Sequence, residues 1–167
     1  MHLYFQMNKV FQTIIISFIF SCSVIAQTLT GIVVSIADGD TFTLLDSTNK
    51  PIKIRLHGID CPERKQAHSK QATDFISERI FRKNVTVIVK DIDRYRRIVG
   101  EVFYNGKTNL NIELLANGFA WHYKRYDKSE AYSKAEQSAK EKHLGLWQDK
   151  NSVAPWDYRK KKKVADA

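Results

Sequence analysis

Apolar residues fall on every second position in a series of short segments divided by turn signals. That pattern commits the chain to several short, half-buried strands rather than a few long helices. Residues 29–36 are rich in β-branched side chains, Asp38-Gly39 marks a turn, and residues 41–45 resume an extended pattern, which makes a hairpin. Ile52, Ile54 and Leu56 then alternate with Lys53, Arg55 and His57, so Arg55 projects away from the Ile/Leu face. Val85, Val87 and Val89 alternate with Thr86, Ile88 and Lys90, and residues 98–104 make a fifth strand before the turn Asn105-Gly106.

Helical spacing enters at three places. Residues 70–82 carry Ala72, Phe75, Ile76 and Ile80 on one face after Pro62 has helped to end the third strand. Residues 109–116 suit a short helix stopped by Asn117-Gly118, and residues 129–143 a longer one stopped by Gly145, with Leu146-Trp147 packing back. The expected fold class is α+β, a five-stranded OB-type β-barrel with three helices.

A chain of 167 residues is long enough for one core and short for two, and its net charge of +9 makes a polyanion the natural partner. The first six residues, Met-His-Leu-Tyr-Phe-Gln, read as a vector-derived protease-site scar. Lys9, the apolar run Thr13-Ile-Ile-Ile-Ser-Phe-Ile-Phe20 and Ser21-Cys-Ser-Val-Ile-Ala26 follow, which is a secretory signal pattern with cleavage before Gln27. The run is shorter than the ~20 residues a membrane-spanning helix needs. A secreted or periplasmic protein is expected. Lipid attachment at Cys22 is the alternative, disfavoured by the bulky Phe20. The expected organisation is residues 1–26 as scar and signal, 27–158 as the barrel domain, and 159–167 as a mobile basic tail around Arg159-Lys-Lys-Lys-Lys163. Signal removal leaves Cys61 alone, so no intramolecular disulfide forms, and the scattered histidines lack zinc spacing.

A phosphodiester repels nucleophiles, so its hydrolysis needs cations on the phosphate and a group that orients and deprotonates water. Asp40 and Asp60 are oxygen donors for a hard cation such as calcium, and Asp38 could reach it through water. Glu63 could activate water, while Arg55 and Arg97 could hold the phosphate through their planar forks. Alone, Asp38-Gly-Asp-Thr41 is an ordinary turn, and Arg94, Arg96 and Arg97 an ordinary solvated loop. Their joint occurrence at three strand ends points to a nuclease. Arg94 with Tyr95, and the run Trp121-His-Tyr-Lys-Arg-Tyr126, mix aromatics with cations as base stacking beside a phosphate track requires. Trp121 itself is expected to pack on the barrel.

From about residue 28 through 147 the chain resembles the staphylococcal nuclease (thermonuclease) family. The matching segments are Asp38-Gly-Asp-Thr41, Arg55-Leu-His-Gly-Ile-Asp-Cys-Pro-Glu63, Asp93-Arg-Tyr-Arg-Arg97, Asn117-Gly-Phe-Ala120 and Leu144-Gly-Leu-Trp147. The resemblance implies Ca2+ on the side chains of Asp40 and Asp60 and the backbone carbonyl of Cys61. It also implies Glu63 as general base or water orienter, Arg55 and Arg97 on the scissile phosphate, and a base-stacking tyrosine that is either Tyr123 or Tyr126. The implied partners are DNA and RNA, cut without sequence preference to 3′-phosphate and 5′-hydroxyl ends. Single strands are preferred because they need no unpairing. No protein partner is implied, and a monomer is expected.

Three departures stand out. Cys61 occupies a position where threonine is common and puts a thiol beside the site, so oxidation or alkylation there could inhibit. Arg96 and Ile98 stand where small glycines occur in the best-known member, and the loop at residues 64–70 is shorter. The rival readings are a noncatalytic nucleic-acid-binding module on the same barrel and a protein that binds anionic lipid through its basic patches.

Overall fold

The computed structural model describes residues 27–165. The expected signal segment, its cleavage point at Ala26, Cys22 and the first six residues lie outside them. The strands are β1 (Thr28–Ile36), β2 (Thr41–Leu45), β3 (Pro51–Leu56), β4 (Ile59–Asp60), β5 (Asn84–Ile92), β6 (Ile98–Tyr104), β7 (Thr108–Asn109) and β8 (Trp121–His122). The helices are α1 (Ser69–Ile80), α2 (Leu110–Ala116), α3 (Glu130–Glu141) and α4 (Pro155–Ala165), with a 3-10 turn at Gly145–Gln148.

Five strands close the barrel. The order β3-β2-β1-β5-β6 runs antiparallel throughout, and β6 returns to β3 as a parallel pair, Ile54 opposite Ile98 and Leu56 opposite Gly100. Closure removes the exposed edges that an open sheet of this size would carry. One-residue register shifts in β1 and β5 supply the extra bend that a small barrel needs. The inward residues are the alternating ones, Val33, Phe42, Leu44, Ile54, Leu56, Val85, Val87 and Val102, all buried. The four apolar residues of α1 on which its helical reading rests are all buried against this core.

The α+β barrel stands as expected, but the described residues form four α-helices rather than three. Residues 159–163, expected within a mobile basic tail, lie inside α4. Pro155 opens that helix, where its missing N–H costs nothing, Asp157 lies in the first turn, and Lys162 and Lys163 lie in the last, favourably placed on the helix dipole. Trp156 stacks on Tyr123, with ring centroids 4.8 Å apart and 17° between planes. These tertiary and capping terms outweigh the like-charge repulsion of the lysine block. The two-residue strands also escape the alternation rule: β4 pairs with β8, setting Asp60 opposite Trp121.

Both ends of the turn before β2 are tied to the barrel. Ala37 N–H donates to Thr41 O at 2.9 Å, and Leu56 N–H donates to Asp40 O at 2.9 Å. Gly39 is required by packing, since a Cβ there would lie 2.8 Å from the Cβ atoms of both Ala72 and Cys61.

Candidate active site

Arg55 bridges two buried carboxylates. Thr41 lies opposite Arg55 across β2 and β3, and Val99 lies opposite it across β3 and β6, so its backbone is held on both sides. Its Nη1 donates to Asp40 Oδ1, and its Nη2 donates to Asp60 Oδ1 at 2.8 Å. Asp40 also accepts from Thr41 Oγ1 at 3.1 Å and, through Oδ2, from the Cys61 N–H at 3.0 Å. Asp40 and Asp60 are 3% and 1% exposed, a burial tolerable only because charged hydrogen bonds compensate. Burial pushes the Asp60 carboxyl up, against the hydrogen bonds that Arg159 donates to it. Burial alone would lower the Arg55 pKa, but the charges of Asp40 and Asp60 reverse that and keep the guanidinium protonated.

Asp38 accepts from the Asp40 N–H at 3.1 Å, an Asx-type contact that shapes the turn. Burial, then the neighbouring charge of Asp40, pushes its pKa up to about 6. Cys61 is buried, with its Sγ 3.2 Å from Gly39 O, and burial raises its pKa well above the ordinary thiol value. A thiol buried in this way reacts slowly, so oxidation or alkylation there depends on local opening of the site.

Glu63 is half-buried on the loop after β4. Its N–H donates to Gln66 Oε1 at 3.0 Å, and Gln66 Nε2 donates to Val153 O at 2.5 Å, which joins this loop to the segment leading into α4. Arg159 of α4 then enters the site. Its Nη1 donates to Glu63 Oε1 at 2.5 Å, and its Nη2 donates to Asp60 Oδ2 at 2.8 Å.

Arg97 lies at the base of the β5–β6 turn. Its Nη1 is 3.4 Å from Thr41 Oγ1, and that hydroxyl bonds Asp40, so Arg97 joins the carboxylate pair through one side chain. Arg94 and Tyr95 occupy the tip of the same turn, Arg94 Nη2 donating to Tyr95 Oη at 2.7 Å. Tyr95 is 65% exposed, with the guanidinium carbons of Arg94 and Arg97 4.8 and 5.5 Å from its ring centroid. Tyr126 is also exposed, whereas Tyr123 is half-buried beneath Trp156 with Tyr126 against its edge. Trp121 packs edge-on to Trp147 and Trp156, the structural part expected of it.

The fold thus brings Asp38, Asp40, Arg55, Asp60, Cys61 and Glu63 together, with Arg97 one hydroxyl away. Among the described residues no three His, Cys, Asp or Glu side chains group as a metal cage. Asp40 and Asp60 are the two buried carboxylates that face one another across Arg55. Sequence reasoning missed Arg159, Gln66, Asp93 and Thr41 as site-building residues. For Asp93 and Thr41 the signal was present in their motifs. For Arg159 no local pattern could have served, because its partner Asp60 is 99 positions away.

Residues 53–149, more than half of the chain and most of this site, match the staphylococcal nuclease homologue family. The chain belongs to the staphylococcal nuclease family. A relative from Haemophilus influenzae, named an uncharacterized endonuclease, is 41% identical over 132 residues, 79% of this chain and 74% of its own. A micrococcal nuclease from Shigella flexneri is 38% identical over 146 residues, covering 81% and 83% of the two chains. An Escherichia coli protein, also named an uncharacterized endonuclease, is 36% identical over 148 residues, 89% of this chain and 96% of its own. The nuclease family match begins at Lys53 and therefore leaves the Asp38-Gly-Asp-Thr41 turn outside it, yet the barrel seats that turn directly on Arg55.

Proposed function

We propose that this protein is a calcium-dependent, sequence-nonspecific endonuclease that hydrolyses DNA and RNA to 3′-phosphate and 5′-hydroxyl ends, acting best on single strands. Its family makes it a hydrolase of the endonuclease class. The observation that carries the finer reading is Arg55 held between Asp40 and Asp60, with Glu63 on the adjoining loop.

The donor set fits a hard cation. Asp40 and Asp60, with the Cys61 carbonyl and Asp38 through water, would hold it, and the buried, protonated thiol of Cys61 offers no soft ligand. When bound, such a cation withdraws charge from the phosphate oxygens. Arg55, whose Nη1 and Nη2 are aimed by Asp40 and Asp60, and Arg97, whose Nε is held by Asp93, supply the remaining positive charge beside the phosphate as negative charge accumulates. Glu63, reached by solvent, takes the proton from the attacking water. Tyr95, flanked by the Arg94 and Arg97 guanidiniums, and Tyr126 are exposed aromatic residues suited to base stacking, and Tyr126 is the better placed of the two candidate tyrosines because Trp156 covers Tyr123. The apolar leader supports export to the periplasm or the exterior.

The noncatalytic alternative is weakened because Asp40, Arg55, Asp60, Glu63 and Arg97 are all present. The deciding experiment incubates labelled single-stranded DNA with the protein in calcium or chelator, beside Glu63→Gln, and identifies the product ends. Calcium-dependent cleavage to 3′-phosphates is expected, slowed on the order of 10²–10⁴-fold in the variant. Tight binding without cleavage at any calcium concentration or pH would make this a binding module.

A further inference from the structure

The carboxylates of the site are already matched by a cation that the chain itself carries. Both oxygens of Asp60 face guanidinium groups, Oδ1 that of Arg55 and Oδ2 that of Arg159, each at 2.8 Å. The Arg159 fork spans the gap to Glu63, so one side chain neutralises a buried carboxylate and the neighbouring half-buried one. A divalent ion seated on Asp60 would meet the Arg159 charge at close range, where two cations repel strongly in a partly desolvated site.

The two arginines differ in how they are held. The Arg55 backbone is paired on one side to β2 and on the other to β6, and both its Nη atoms bond buried carboxylates. Arg159 is 40% exposed and rides on the last helix, which stacks on the barrel through Trp156 against Tyr123 and Trp121. The same helix carries Lys160 to Lys163, charges that a polyanion attracts.

We propose that Arg159 is a built-in competitor of the metal: docking of α4 and occupation of Asp60 by a divalent cation exclude one another. A hard cation arms the site by displacing Arg159, and α4 moves away with it. This rests on reading Asp40 and Asp60 as cation ligands.

The test is a calorimetric calcium titration of the full chain, of Arg159→Ala, and of Trp156→Ala, which keeps the arginine but removes its helix's stacking partner. It is paired with hydrogen exchange of the α4 amides with and without calcium. Both variants should bind calcium more tightly, by about tenfold if Arg159 is docked in roughly nine molecules of ten. In the unsubstituted protein, calcium should lower α4 protection. Equal or weaker binding by a natively folded Arg159→Ala, or α4 protection that calcium leaves unchanged or raises, overturns the competitor while leaving the metal reading intact. Absence of calcium binding in all three proteins overturns both.

Discussion

Three hydrogen bonds join Asp93 and Arg97, one of them from the Asp93 N–H to Arg97 O at 3.0 Å. Asp93 Oδ1 accepts the Arg97 N–H at 3.0 Å while Oδ2 accepts Arg97 Nε at 2.7 Å, and Oδ1 also takes the Tyr95 N–H at 2.9 Å. One carboxylate therefore shapes the turn and aims the arginine that it carries. Burial alone would raise the Asp93 carboxyl, but these bonds hold it below the usual carboxylate range. Asp93 is a positioning residue. Asp93→Ala should lower kcat on the order of 10–100-fold with a smaller change in KM. Asp93→Asn, which keeps acceptors at one oxygen, should recover part of that loss. Steady-state kinetics on both variants decide the matter, and an unchanged kcat in Asp93→Ala would remove Asp93 from this role.

The same turn holds Arg96 at φ 63°, a left-handed conformation that a side chain resists. Arg96→Gly relieves roughly 1–2 kcal/mol of backbone strain, less about 0.5–1 kcal/mol of entropy that glycine forfeits on folding. A net gain of up to roughly 1.5 kcal/mol should appear in urea unfolding with unchanged slope. A loss of stability would mean that the arginine side chain makes a compensating contact.

Cys61 offers a second check on the site's packing. Its thiol is buried and protonated, so an alkylating reagent at neutral pH should label the folded protein far more slowly than the same protein in urea. Mass spectrometry over a time course reads this. Rapid labelling in the folded state would show that the Gly39 turn opens readily.

Asp127 predicts a pH effect on stability remote from the carboxylate pair. Its burial pushes the carboxyl up, but bonds from Ser129 N–H at 2.9 Å and Ser129 Oγ at 2.6 Å, together with His122, bring it below the ordinary value. A depressed acid contributes stability that is fully present above its unfolded pKa of roughly 3.9 and is lost as pH falls through the lower folded value. Asp127→Asn should therefore be less stable than the unsubstituted protein at pH 6, by about 1–3 kcal/mol in urea unfolding, and the gap should narrow as pH falls below roughly 3.9. A gap independent of pH would assign the loss to geometry rather than charge.

How much was legible in the chain follows from the range of each interaction. Alternation in residues 52–57 and 85–90 reports which side chain faces the core, because a strand turns its residues over every step. The four inward residues of α1 follow likewise from helical geometry, and Asn117-Gly118 and Gly145 mark stops where the backbone takes positive φ at both glycines. The motif around Arg55, Asp60 and Glu63 was readable because its members lie within nine positions on one strand and its exit. The two-residue strands β4 and β8 were not, since so short a segment has no period and exists only through its partner.

By itself, then, the sequence determined the barrel's strands, three of its helices, and the identity of the acids and arginines at the strand ends, all of them consequences of local geometry and residue chemistry. Tertiary structure alone decided that Asp40 and Asp60 share Arg55, that Trp156 covers Tyr123 rather than Tyr126, and that residues 155–165 form a docked helix bringing Arg159 to Asp60 and Glu63. Those outcomes depend on groups distant along the chain competing for the same buried charge, and no window of neighbouring residues contains that competition.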